Sequence, residues 1–250
     1  MSDPRHVRRR GNPTVAGLAI TTLLLGIFFV MSPTENAETL RRLVGMGDQR
    51  LGAPPRFEDG RGSYEFALTQ PGGNEPVGYD PCRVIEVAVN PEGAPDNYEA
   101  LVETAISRTS DATGLVFERL PDTDDRNFAD RWQRFGDRRP PVLVGWADSD
   151  EVPELAGDVA GVGGSTAVSV GSGRRFYVTG MVVLDSEQFA DFDEDEEPFA
   201  QAIVDHEFGH LVGLGHVDDP GELMNAENLG RVSYGPGDRE GLARLGSIDC

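Results

Sequence analysis

The chain has 250 residues with 22 basic and 43 acidic side chains, which gives a formal net charge of −21. Its hydrophobic fraction of 38% is sufficient for a packed core and excludes a wholly disordered protein. An acidic surface of this kind repels phosphate, so we expect no nucleic-acid partner.

The N-terminal residues predict export. Residues 1–14 form a basic tail, and the range 15–31 (VAGLAITTLLLGIFFVM) contains no charged side chain. Such a segment is typical of a transmembrane anchor or of a signal-peptide core. No small-residue cleavage site is evident after it, which favours an uncleaved anchor with a cytoplasmic tail. We therefore predict a single-pass protein of the cell membrane with its folded part outside, and a secreted protein is the alternative.

Residues 32–61 are rich in glycine, proline and charge and predict a stalk or linker. From residue 62 the pattern changes to that of a folded domain, 62–250. Alternating apolar positions at 64–68 and the apolar run at 84–89 (VIEVAV) predict its first strands.

The next element is a long helix. Asp96 and Glu99 have the spacing of a capping box, and the apolar periodicity that follows ends near Gly114. Residues 141–146 (PVLVGW) and 175–185 (RFYVTGMVVLD) predict two further strands. The glycine-rich stretch 161–173 between them predicts an exposed edge strand.

The chain has two cysteines, Cys82 and Cys250. In an exported protein an even number of cysteines predicts a disulfide, here one that closes a very long loop. The alternative is a free thiol that caps a metal site.

The candidate metal ligands and the candidate catalytic residue lie in the segment 198–216. Pro198 suits the first turn of a helix, and His206 and His210 then lie one turn apart on the same helix face. Two imidazoles at this spacing can bind one metal ion, and zinc is the metal that prefers such ligands. Glu207 can approach a metal-activated water as a general base, while Gly213 allows the helix to end before His216. The alternative is an ordinary core helix with surface histidines.

The stretch HEFGHLVGLGH matches HExxHxxGxxH at every specified position, and Met224 follows His216 by eight residues. With these motifs the chain resembles the metzincin zinc metalloendopeptidases, and its pattern is most similar to that of the matrixins. Val217 and the pair Asn225-Ala226 depart from the matrixin pattern, so the subsite preference cannot be transferred.

The resemblance implies an α+β fold. We expect a twisted, mostly parallel five-stranded sheet with an antiparallel edge strand, a long helix, a zinc-binding helix, and a C-terminal helix after a methionine turn. It also implies that His206, His210 and His216 bind Zn²⁺, that Glu207 is the catalytic base, and that Met224 supports the site without coordinating. The expected substrate is an extended peptide paired with the edge strand, and the expected state is a monomer.

Two points stay open. The acidic residues at 191–197 suit Ca²⁺, and matrixins bind calcium in the corresponding loop, but a solvated acidic loop is the alternative. A catalytically silent, membrane-tethered zinc-binding protein is the alternative to a peptidase.

Overall fold

The computed structural model describes residues 49–57, 59–129, 131, 139–169, 171, 173–193, 195–227 and 230–250. Residues 50–250 form one compact unit, which begins inside the range 32–61 that the sequence predicts as a linker. Arg50 donates hydrogen bonds to the carbonyls of Gly246 and Ile248, and this contact attaches the start of the unit to its C-terminus.

A mostly parallel five-stranded sheet organises the unit. After the short strand β1 (Glu65–Phe66), which lies outside this sheet, the chain forms its five strands: β2 (Ile85–Val89), β3 (Phe117–Arg119), β4 (Val142–Ala147), β5 (Gly161–Ser169) and β6 (Arg175–Asp185). Their spatial order is β3-β2-β4-β6-β5. All pairings are parallel except that of β5, which runs antiparallel to β6 at one edge. The prediction of a mostly parallel sheet with a glycine-rich antiparallel edge is confirmed.

Both faces of the sheet are covered by apolar clusters. Alternate side chains of its central strands point in opposite directions and so contribute to different clusters. Val144 and Trp146 of β4 belong to the main core, whereas Leu143 belongs to a smaller cluster on the other face. Trp146 is fully buried and meets the ring of Phe189 edge-on. Four helices are described: α1 (Tyr98–Thr113), α2 (Ser186–Asp191), α3 (Glu197–Val212) and α4 (Pro236–Gly246).

The long helix α1 ends as predicted but begins differently. Gly114 follows its last residue in the left-handed conformation, with φ of 72°, and its N–H closes the last turn on the Ser110 carbonyl. The N-cap is Asn97, which makes no side-chain capping bond. The capping box predicted from Asp96 and Glu99 is therefore wrong, because the helix starts one residue later than that spacing requires.

The two cysteines form the predicted disulfide. Cys82, which precedes β2, is bonded to Cys250 at the end of the chain, with Cα atoms 5.6 Å apart and 168 positions between them in sequence. Neither cysteine is free. A thiol that caps a metal site is therefore excluded for this state of the protein.

The predicted membrane anchor is not borne out. Within the residues that the structure describes, no helix combines the length and the apolar character needed to cross a membrane. The range 15–31, to which the anchor was assigned, lies outside the described residues.

Candidate metal centre and active site

Helix α3 and a short two-stranded ladder bring the three histidines of the motif together. Gly213 has φ of 122°, a conformation that favours glycine, and it ends α3 one turn after His210. The chain then enters β7 (Leu214–Gly215), which pairs antiparallel with β1 (Glu65–Phe66). This ladder holds the residues immediately before His216 against the domain.

The ring nitrogens of the three histidines converge. The Nε2 atom of His216 lies 3.1 Å from that of His206 and 3.0 Å from that of His210. In a tetrahedral zinc site with Zn–N bonds of about 2.0–2.1 Å, the ligand nitrogens are separated by about 3.3 Å. The three side chains therefore form a group able to hold one metal ion.

Backbone carbonyls orient two of these rings. His206 Nδ1 donates to the Leu223 carbonyl and His210 Nδ1 donates to the Leu214 carbonyl, each at 2.8 Å. With the proton on Nδ1, the Nε2 lone pair of each ring faces His216 and is available to a metal. The His216 ring can satisfy only one of these lone pairs by hydrogen bonding, so the donor set fits an electron-pair acceptor such as Zn²⁺.

Burial also keeps the imidazoles neutral. Desolvation, with a smaller contribution from His210, lowers the pKa of His206 to about 3. Desolvation lowers the pKa of His210 to about 4, and it lowers that of the more exposed His216 as well. Neutral imidazole is the form that binds metals, so little proton competition is expected near neutral pH.

Glu207 lies between α3 and the edge strand β5. Its side chain is 5% exposed, and its carboxylate accepts a hydrogen bond from the Gly163 N–H. Burial raises the pKa of Glu207 to about 8. A Cβ atom at Gly161 would lie 2.8 Å from the Glu207 Cγ atom, so the glycine provides the space that this side chain occupies.

Met224 packs beneath the helix. It is 1% exposed, and a Cβ atom at Gly209 would lie 2.5 Å from its sulfur. The Val217 N–H donates to the Met224 carbonyl at 3.0 Å, which connects this turn to the segment after His216. The turn therefore packs against α3 at Gly209, a position at which the HExxHxxGxxH motif specifies no residue.

Two buried carboxylates, which sequence reasoning did not identify, attach the same turn to α4. Asp238 accepts from the N–H groups of Leu223 and Met224 at 2.5 and 3.3 Å. Glu222 accepts in return from the N–H groups of Gly237 and Asp238. Because these acceptors serve backbone amides, no side-chain pattern reveals them. Leu223 is also the residue whose carbonyl orients His206, so this connection extends to the metal site.

Behind the site, α3 is attached to α1. Asp205 is fully buried and forms an ion pair with Arg108 of α1, with the guanidinium nitrogen 2.5 Å from the carboxylate oxygen. Its carboxylate also accepts a hydrogen bond from the Gln201 side chain. Tyr234 donates to the Asp205 carbonyl at 2.6 Å. These contacts fix the position of the helix one residue before His206, and sequence reasoning did not identify them either.

A cavity of about 510 Å³ opens beside the histidines. His206, Glu207 and His216 contribute to its wall, so two of the three histidines and the carboxylate face the same space. The remaining lining residues come from β5 and the loop before it, from the region of α2 and α3, and from the turn after Met224; they are Asp158, Val159, Ala160, Gly161, Gln188, Phe192, Phe199, Ile203, Asn225, Ala226 and Gly230.

The acidic range 191–197 does not form a comparable site in the part of it that is described. Asp193 accepts from the N–H groups of Asp195 and Glu196 and so stabilises the turn before α3. Among the described residues, no three carboxylates of this range approach one another at metal-ligand spacing. Calcium binding is not shown.

Comparisons with known proteins give only distant similarity. No family model and no curated protein matches the chain. Archaemetzincin from Methanopyrus kandleri is a similar structure, with 17% identity over 64% of this chain and 93% of that chain and a TM-score of 0.40. A chain of the GM1-bound ECX AB5 holotoxin is another, with 13% identity over 66% of this chain and 82% of that chain and a TM-score of 0.38. At these TM-scores, no conclusion about function follows from the likeness.

Proposed function

We propose that the protein is a zinc-dependent endopeptidase in which His206, His210 and His216 hold the metal and Glu207 is the general base. One observation carries this proposal: three imidazole Nε2 atoms converge at one wall of a cavity to which a buried carboxylate also contributes. Metal ligands alone would suit a structural site, but structural zinc sites are closed by a fourth protein ligand. Within the described part of the chain, no fourth ligand accompanies these three.

Zn²⁺ bound by these histidines would supply Lewis-acid chemistry, because it acidifies water and polarises a peptide carbonyl. The Glu207 carboxylate then takes a proton from the attacking water and later delivers it to the departing amine. Burial favours the protonated form of Glu207, whereas a cation beside it favours the carboxylate. The Gly163 N–H holds that carboxylate at the cavity wall through both proton transfers.

The expected substrate is an extended peptide. Strand β5 pairs with β6 on one side only, among the strands described, and its first residue, Gly161, lines the cavity. A peptide that pairs with the free edge of β5 would pass the histidines with its main chain hydrogen-bonded, a mode that demands little of its sequence.

We also propose that the chain is of the matrixin-like type within the metzincins. The extended histidine motif and the eight-residue interval from His216 to Met224 support this assignment. The packing of Met224 under α3 supports it further. Asn225 and Ala226, where the chain departs from the matrixin pattern, both line the cavity.

The test is cleavage of a reduced, unfolded protein by the zinc-loaded chain. We expect cleavage that a chelator abolishes and that added Zn²⁺ restores. Glu207→Ala should reduce kcat by about 10²- to 10⁴-fold because general-base catalysis has that magnitude. Glu103→Ala, which removes an exposed glutamate of α1, is the matched control and should leave kcat unchanged. A Glu207→Ala variant that binds zinc and cleaves at the normal rate would contradict the proposal, as would an inactive zinc-loaded wild type.

A further inference from the structure

The stretch that contains the candidate site has an unusual distribution of charge. Residues 176–230 include fourteen Asp and Glu and no Lys or Arg, although the chain has 22 basic residues. Most of the cavity lining belongs to this stretch, and the rest comes from residues 158–161. Of the described residues that line the cavity, none is Lys or Arg, and two, Asp158 and Glu207, are acidic. A Zn²⁺ ion held by the histidines would offset the charge of Glu207, which leaves Asp158 as the charge that a ligand meets.

The nearest arginines in sequence do not neutralise this charge. Arg174 and Arg175 lie at the far end of the β5–β6 hairpin, where Ser169 pairs with Arg175. Eight residues separate Ser169 from Gly161 at the cavity, which corresponds to about 26 Å along a strand. That distance exceeds the Debye length of about 8 Å at physiological salt severalfold. Arg231 follows the lining residue Gly230 but does not itself line the cavity.

Asp158 is the acidic group best placed to meet a ligand. It is exposed and it lines the cavity just before β5, so its carboxylate is accessible to a ligand in that space. The other acidic residue of the lining, Glu207, is buried, so Asp158 is the one exposed carboxylate among the described residues that line the cavity. Phe199 and Ile203 give the same cavity an apolar part. A carboxylate in the lining of such a cavity favours a ligand with a positive charge over one with a negative charge.

We infer that the cleft selects cationic peptides, with Asp158 as a specificity-determining residue that pairs with a basic side chain of the substrate. This inference rests on the proposed function, because it names the substrate class of the same site. The occupant is an extended peptide that places an apolar residue in the cavity and lysine or arginine beside it. Acidic peptides are repelled by the same field.

Three internally quenched peptides test the inference. They share one apolar core and carry either two arginines, two glutamines or two glutamates next to it. We expect kcat/KM to fall in that order, with the arginine peptide about 10-fold better than the glutamate peptide at low salt. In 0.5 M salt the ratio should shrink to about 2-fold, because the Debye length falls to about 4 Å.

A pair of variants assigns the effect to Asp158. Asp158→Asn should reduce the arginine-to-glutamate ratio by about 3-fold, the size of one partly exposed ion pair. Asp111→Asn removes the same charge from an exposed position of α1, a helix that contributes nothing to the cavity lining, and should leave the ratio unchanged.

Binding to the Glu207→Ala protein separates this inference from the proposed function. Fluorescent forms of the arginine and glutamate peptides are titrated with that variant, and we expect tighter binding of the arginine peptide. Cleavage of all three peptides at equal rates overturns the inference and leaves the peptidase intact. Equal binding of the two peptides, or an Asp111→Asn effect as large as that of Asp158→Asn, also overturns it. Selective binding without any cleavage supports the charge selection and overturns the peptidase.

Discussion

The close approach of Gly161 to Glu207 gives a substitution that should remove activity while leaving the metal site intact. A Cβ atom at Gly161 would lie 2.8 Å from Glu207 Cγ and 3.1 Å from its Cδ and Oε1 atoms. Ordinary contacts begin at about 3.5 Å, so Gly161→Ala must displace the carboxylate by about 0.5 Å or more. The glutamate is 5% exposed and has little free space into which it can move.

The expected loss is large because catalysis depends steeply on geometry. A misplacement of about 1 Å costs on the order of 10²-fold in rate, so we expect kcat to fall by about 10- to 10²-fold. Zinc stoichiometry should stay at the wild-type value, because the contact involves Glu207 and none of the histidines. The melting temperature should fall only slightly, since overpacking by one methyl group costs about 1–3 kcal/mol.

Gly171→Ala is the control, because it lies in the turn after β5 and outside the strand that the substrate is proposed to pair with. A Cβ atom there would meet no atom within 4 Å, so kcat, zinc content and stability should all stay at wild-type values. The assay is steady-state cleavage of one quenched peptide by each zinc-loaded protein, with metal content measured on the same samples. A Gly161→Ala protein with wild-type kcat would refute the reasoning, as would equal losses in the two variants.

Three further predictions concern the support of the site. Gly209→Ala should lower the free energy of unfolding in urea by about 1–3 kcal/mol, because its Cβ would meet the Met224 sulfur at 2.5 Å. Adding Met224→Ala should restore part of this loss, and no recovery in the double variant would contradict this packing. Burial raises the pKa of Asp238 to about 6 from 3.8, so the native state binds this proton more tightly than the unfolded state. The stability of the wild type relative to Asp238→Asn should therefore fall by about 2 kcal/mol as the pH rises from 4 to 7, and a difference independent of pH would show that the shift is absent. Replacing Cys82 and Cys250 together by serine should cost about 5 kcal/mol in the same assay, because their loop spans 168 positions, and an unchanged urea midpoint would contradict this value.

The regular elements were predictable from the sequence because each has a local pattern of its own. The apolar runs that form β4 and β6 were predicted within a residue, and so was the end of α1 at Gly114. The short strands β3 and β7 contain three and two residues and depend on their pairing partners, so no local pattern identifies them.

The supporting contacts of the site were not predictable. The motif identified His206, His210 and His216, and the structure brings their nitrogens together. It did not identify the Asp205–Arg108 pair, because the two residues are far apart in sequence and meet only when α1 packs on α3. Charged pairs of this kind follow from tertiary packing, which a single sequence does not specify.

The central claim is a three-histidine zinc site, and X-ray absorption at the zinc edge of the metal-loaded protein tests it most directly. We expect one Zn²⁺ per chain with three imidazole nitrogens and one oxygen ligand at about 2.0–2.1 Å. His216→Ala should lose the metal or one imidazole shell. A spectrum with sulfur at about 2.3 Å, an oxygen-only shell, or a His216→Ala protein with an unaltered spectrum would contradict the assignment.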